Sequence, residues 1–169
     1  MLKTTVYISD INNLSDARYC AGMMVDYLGF NIDKIGVEEF REITQWVEGT
    51  IVAEFDTIDV DKINAIIEEF KLDYVALKSD SIPSNINTKV ILISDKQNPD
   101  CAFQIVDNNS INSTFTSPIL ITGNFKPNKV DAILAQPNVK GICLKGGDEI
   151  RPGQRDFDEM ADILESLEV

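Results

Sequence analysis

Eight strand-length apolar runs, several of them separated by segments of helical periodicity, predict a parallel α/β protein. Eight such strands point first to a closed eight-stranded (β/α)8 barrel, with an open doubly wound sheet as the alternative. The chain has 169 residues, whereas typical barrels of this kind run to about 250. The expectation is therefore a barrel with trimmed loops and with several helices reduced or missing.

The elements follow in order. Thr4–Ser9 is the first strand, and Leu14, Ala17, Ala21 and Met24 then sit at helical spacing. Asp26–Phe30 is the second strand, and Val37, Phe40, Ile43 and Val47 form the next helical stripe. Thr50–Phe55 precedes a helix carrying Val60, Ile63, Ile66, Ile67 and Phe70. Asp73–Leu77, Lys89–Ile93 and Ala102–Val106 are the fourth, fifth and sixth strands. The segments after them are short or polar, so the missing helices are expected there. Pro118–Thr122 is the seventh strand, and a helix starts near Pro127, a residue suited to a first helical turn. Val139–Leu144 is the eighth. The last helix presents Phe157, Met160, Ile163, Leu164 and Leu167, with Asp156 and Glu159 as a capping box. No repeat or linker divides residues 1–169, which read as one domain.

Composition narrows the function. An apolar content of 44% and a charged content of 25% suit an ordinary globular chain. The formal charge of −13 repels nucleic acid and anionic membranes, so neither is expected as a partner. There is no apolar leader and no membrane-spanning run, which with three scattered cysteines (Cys20, Cys101, Cys143) points to a cytoplasmic protein with reduced thiols. The sequons at Asn13, Asn108 and Asn112 are then chance matches. The chain has no histidine. Histidine-based triads and metal sites are excluded, and acid–base chemistry falls to carboxylates, Lys, Tyr or thiols. No metal or other cofactor is implied.

The strand NVKGICL opens into Lys145-Gly146-Gly147 with a helix behind it. Consecutive glycines let backbone N–H groups turn toward an anion, and the lysine adds a full charge. In barrels of this architecture phosphate commonly sits on the loops after strands seven and eight. Gly123-Asn124 therefore supplies the other half of a candidate phosphate site. The competing reading is a tight turn with an exposed lysine.

Several stretches resemble phosphoribosylanthranilate isomerase, the eight-stranded barrel enzyme of tryptophan biosynthesis. The family opens with a strand ending K-I-C-G, then T-N-L-x-D-A, then D-Y-L-G-F. This chain has Tyr7-Ile8-Ser9-Asp10, Asn12-Asn13-Leu14-Ser15-Asp16-Ala17 and Asp26-Tyr27-Leu28-Gly29-Phe30. The family's D-x-V-Q-L-H-G-D is similar to the run from Asp73 to Asp80, and its L-A-G-G-L-x-P-x-N-V to the run from Ile121 to Val130. Its ending, G-V-D-x-S-S-G-V-E-x-x-P-G-x-K-D, is similar to Gly141 through Asp156. The resemblance spans nearly the whole chain in register. It implies a barrel that performs the Amadori rearrangement of N-(5-phosphoribosyl)anthranilate without a cofactor.

The resemblance also implies roles, and several are altered. The family's general base is the Cys that ends strand one, and Ser9 stands in its place. An alcohol is a far weaker acid than a thiol, and no histidine is available to activate it. The family's general acid is matched by Asp107. The G-G-T-G phosphate loop after strand six is absent. The loop after strand two, which in the family holds the anthranilate carboxylate, is cut to Asn31–Gly36 with Lys34 as its cation. The family's Asp on strand eight is Cys143.

The candidate catalytic residues are thus Asp107, Ser9 and Asp10, the last as a substitute base at the mouth. The candidate phosphate site is Gly123, Asn124, Lys145, Gly146 and Gly147. Each has a plainer reading: Ser9 as a small strand-end residue, Asp107 as a turn former, Lys78 with Asp80 as a solvated pair. Cys20 reads as helix core, Cys143 as barrel lining and Trp46 as packing. The expected partner is a small phosphorylated metabolite, with a protein partner or a homo-oligomer as the alternative for a barrel that has lost its activity.

Overall fold

All eight apolar runs are strands in the computed structural model, which describes residues 1–110, 115–123, 126–146 and 158–169. They are β1 (Thr5–Ser9), β2 (Tyr27–Asn31), β3 (Ile51–Phe55), β4 (Tyr74–Leu77), β5 (Lys89–Ile93), β6 (Gln104–Asp107), β7 (Ile119–Thr122) and β8 (Val139–Lys145). Every neighbouring pair is parallel and in chain order, and β8 pairs with β1 from Thr5↔Gly141 to Ser9↔Lys145. The sheet is therefore a closed (β/α)8 barrel, the TIM barrel architecture, and not an open sheet.

The described helices are α1 (Leu14–Gly22), α2 (Ile32–Thr44), α3 (Val60–Phe70), α4 (Pro127–Leu134) and α5 (Asp158–Ser166). The β4–β5 and β5–β6 connections carry no α-helix, and among the described residues a 3-10 turn, Asn108–Ser110, follows β6. These are the places where the short, polar segments predicted a loss. The first three helices start on side-chain caps: Asn13 accepts from the Asp16 N–H, Asn31 from Lys34 and Asp59 from Lys62. Such caps satisfy backbone donors that have no partner inside the helix. Gly36 (φ 80°, ψ 162°) interrupts α2 after its first turn. The capping residue proposed for α5, Asp156, lies outside the described residues.

Alternation along each strand makes two separate cores. Val6, Ile8, Leu28, Phe30, Ala53 and Phe55 point outward against the helices, where they meet Ala17, Cys20, Phe40 and Ile63. Tyr7, Val52, Ala76, Ile91, Ile105, Leu120 and Cys143 fill the barrel. Tyr27, with Tyr74 and Phe103 at ring-centroid distances of 5.4 and 5.1 Å, packs against that inner layer. Closure demands small residues where chains approach. A Cβ on Gly141 would run into the carbonyl oxygen of Thr5 on β1.

Three packing expectations need correction. Met24 lies beyond the end of α1 in a left-handed turn (φ 60°) and is 65% exposed, so it is not part of that helix's core stripe. Trp46 follows α2 and is 61% exposed, so its ring is not core packing. Asp80 pairs with Lys96 at 3.3 Å and accepts from the Ser94 hydroxyl, not from Lys78. Cys20 does lie in the helix core, 3.8 Å from the Met160 sulfur, and Cys143 lines the barrel interior. Among the described residues no helix is long and apolar enough to cross a membrane.

Candidate functional site

The carboxyl ends of β6, β7, β8 and β1 are consecutive around the barrel and carry most of the candidate residues. Asp107 ends β6 and is in register with Thr122 on β7. Thr122 is in register with Cys143 on β8, and Lys145 with Ser9 on β1. Gly123 follows β7, and Gly146 follows β8. One arc of the mouth therefore gathers Asp107, Gly123, Lys145, Gly146, Ser9 and Asp10. Asn124 and Gly147 lie outside the described residues, as do Ser113 and Thr114.

The β1–β8 seam is closely built. The Gly146 N–H donates to the Ser9 carbonyl at 2.7 Å. Gly146 itself is buried, and a Cβ there would lie 3.0 Å from an Asp16 carboxylate oxygen and 3.1 Å from the Asp10 carbonyl. The strand-to-loop turn after β8 thus packs directly on the turn after β1. Asp10 occupies the left-handed region (φ 57°). Its carboxylate oxygen Oδ2 meets Lys34 Nζ at 3.1 Å and Lys145 Nζ at 3.6 Å. The hydrogen bond to Asp10 is the main cause that raises the Lys34 pKa.

Beneath Asp10 lies a residue that the sequence reading passed over. Glu54, on β3, is 3% exposed and points into the barrel. Its Oε1 accepts from the Asp10 N–H at 2.8 Å, and its Oε2 from the Tyr7 hydroxyl at 2.7 Å. Burial pushes the Glu54 carboxyl up to about 7, aided by the nearby charges of Asp10 and Asp56, while the two donors pull it down. Glu54 thus exchanges a proton near neutrality. Burial and the Glu54 charge also push the Cys143 thiol up to about 12, so the thiol is neutral; the side chains of Ser9 and Thr122 lie against it. Burial raises the Tyr7 phenol well above its ordinary value. A signal for Glu54 was present: one acid in the otherwise apolar strand Ile51–Phe55, at an inward-facing parity position.

Asp107 uses its side chain locally. Oδ1 accepts from the Asn109 N–H at 2.8 Å, and the Asp107 N–H donates to Asp95 Oδ1 at 3.2 Å. This is the turn-forming geometry read as its plainer alternative. On the opposite side, Asn31 donates to Asp56 at 3.1 Å, and Asp33 accepts from the N–H groups of Asp56 and Thr57, each at 2.8 Å. The segment expected to be a short loop is thus the first turn of α2, and these contacts hold that turn, which carries Lys34, against the end of β3.

No protein-family model matches this chain, and no curated protein matches it significantly. Solved structures do resemble it in three dimensions. Phosphoribosylanthranilate isomerase from Thermotoga maritima superposes with a TM-score of 0.75 at 18% identity, covering 97% of this chain and 98% of that one. The isomerase from Thermus thermophilus gives 0.75 at 18%, covering 96% and 98%. Orotidine 5'-phosphate decarboxylase from Pyrococcus horikoshii gives 0.58 at 14%, covering 96% and 99%. At these identities the likeness establishes the fold alone, a (β/α)8 barrel.

Proposed function

We propose that this chain is a phosphoribosylanthranilate isomerase-like barrel whose mouth binds N-(5-phosphoribosyl)anthranilate or another small phosphate-bearing metabolite. The phosphate is assigned to Gly123, Asn124, Lys145 and Gly147, while Gly146 shapes the turn, its N–H being taken by the Ser9 carbonyl. The observation that carries the reading is the arc from β6 to β1, where a lysine, strand-end glycines and three polar candidates share one edge of the mouth. The fold shared with the isomerases supports it. Binding is the part of that function best supported by the geometry. Ser9 replaces a thiol base, and the Asp107 carboxylate caps its own turn. Removal of a general base typically costs a factor of about 10² to 10⁴ in rate.

A second reading, slow Amadori rearrangement, is favoured by Asp10, a carboxylate one residue beyond Ser9 on the same arc. In that reading Asp107 protonates the ribose ring oxygen, and Asp10 or Ser9 removes the proton beside the imine carbon. The test is turnover of freshly generated phosphoribosylanthranilate at high enzyme concentration, followed by loss of anthranilate fluorescence. Binding of the substrate without turnover supports the first reading. Turnover that vanishes in both Asp107→Ala and Asp10→Asn supports the second. Neither binding nor turnover refutes the second reading and excludes this substrate from the first, and ribose 5-phosphate then decides whether the mouth binds a phosphate monoester at all.

A further inference from the structure

We propose that Asp10 occupies the anion position of the mouth in the ligand-free protein, held between Lys34 and Lys145, and that a small phosphate monoester binds by displacing it. This rests on the reading of the mouth as a phosphate site, and it adds how that site is kept closed.

Two ammonium groups from opposite ends of the chain converge on one carboxylate oxygen, at 3.1 and 3.6 Å. The lysine side chains are 55% and 71% exposed, whereas that of Asp10 is 17% exposed. The cations therefore face solvent, and the carboxylate is tucked among them. The backbone of Asp10 is also fixed. It is held at φ 57°, its N–H is bound by the buried Glu54, and its carbonyl packs on Gly146. A non-glycine residue in the left-handed region persists only where its surroundings hold it there.

Charge balance gives the direction of the exchange. The two lysines and Asp10 together leave one positive charge. A phosphate dianion added beside Asp10 would meet a like charge at close range. With the Asp10 side chain turned out into water, two ammonium groups face two negative charges, and the clamp is neutral. Asp10 is thus an internal competitor that sets a threshold for ligand binding.

The test is titration of the intact chain with inorganic phosphate and with ribose 5-phosphate at low ionic strength, where screening is weak. Asp10→Asn keeps the shape and tolerates the left-handed backbone. It should bind phosphate about tenfold more tightly than the parent, the scale expected when two part-exposed ion pairs no longer have to be broken. Asp10→Gly, which also accepts positive φ, should show the same gain, so a folding defect in one variant leaves the other to decide. Adding Lys145→Ala or Lys34→Ala to Asp10→Asn should remove the gain. If the parent binds phosphate through Lys145 and neither Asp10 variant binds more tightly, the competitor is refuted and the phosphate site stands. A gain that survives loss of either lysine refutes the two-lysine clamp. No phosphate binding by any variant refutes both.

Discussion

Replacing Glu54 with Gln should flatten the pH dependence of stability in a defined window. In the folded chain this carboxyl titrates near 7, against an ordinary value of 4.5. Between those values the unfolded chain has released the proton and the folded chain has kept it. The folded state binds more protons, so stability falls as pH rises through this window. The contribution is intact below 4.5 and lost once pH has passed about 7. At about 1.4 kcal/mol per pH unit, the interval amounts to about 3 kcal/mol, most of which falls between pH 5 and pH 8. Gln keeps the length of the side chain. Its carbonyl can accept from the Asp10 N–H, and its amide can donate to the Tyr7 oxygen. The assay is urea unfolding of parent and variant at intervals from pH 4.5 to 8.5. Other carboxylates tilt both curves alike, so the quantity to read is the parent-minus-variant difference, which should fall by about 2 to 3 kcal/mol from pH 5 to pH 8. A difference that is flat across the window would refute the account of Glu54 as a buried carboxyl held near neutrality.

Gly29→Ala should destabilise the barrel by about 1 to 3 kcal/mol, as overpacked interiors do, because its Cβ would lie 2.6 Å from both Glu54 Oε2 and the Tyr7 oxygen. Urea unfolding at pH 7 measures it, and a loss below about 0.5 kcal/mol would show that the floor of the mouth yields easily. In the native protein at pH 8, a thiol-reactive chromophore should label Cys101 first and leave Cys20 and Cys143 unlabelled until unfolding. Cys20 and Cys143 are buried, and Cys143 is pushed up to about 12, while Cys101 is only half-buried. Fast native-state labelling of Cys143 would show that the barrel interior opens to solvent.

Most of the barrel was legible from periodicity. Strand positions were read to within a residue or two, because strands buried on both faces are written locally as continuous apolar runs, as in Thr5–Ser9 and Val139–Lys145. The missing helices were legible too, since the segments after β4 and β5 lack an apolar stripe. Position along the chain also indicated that Ser9, Asp107 and Lys145 fall at strand ends. Exposure of Met24 and Trp46 was not legible, because an apolar side chain next to a helix stripe looks the same whether or not the helix has already ended.

By itself, then, the sequence determined the succession of strands and helices, the absence of histidine chemistry and the strand ends where polar residues collect. Only the tertiary structure decided what those residues touch. Closure of β8 on β1 brings Lys145 to Asp10, and the barrel interior brings Glu54 to Tyr7 and to the Asp10 backbone. The partners in each of these contacts come from different strands or loops, so local periodicity carries no record of them. The burial that raises Glu54 arises only when β3 takes its place in the closed barrel with that carboxyl facing inward.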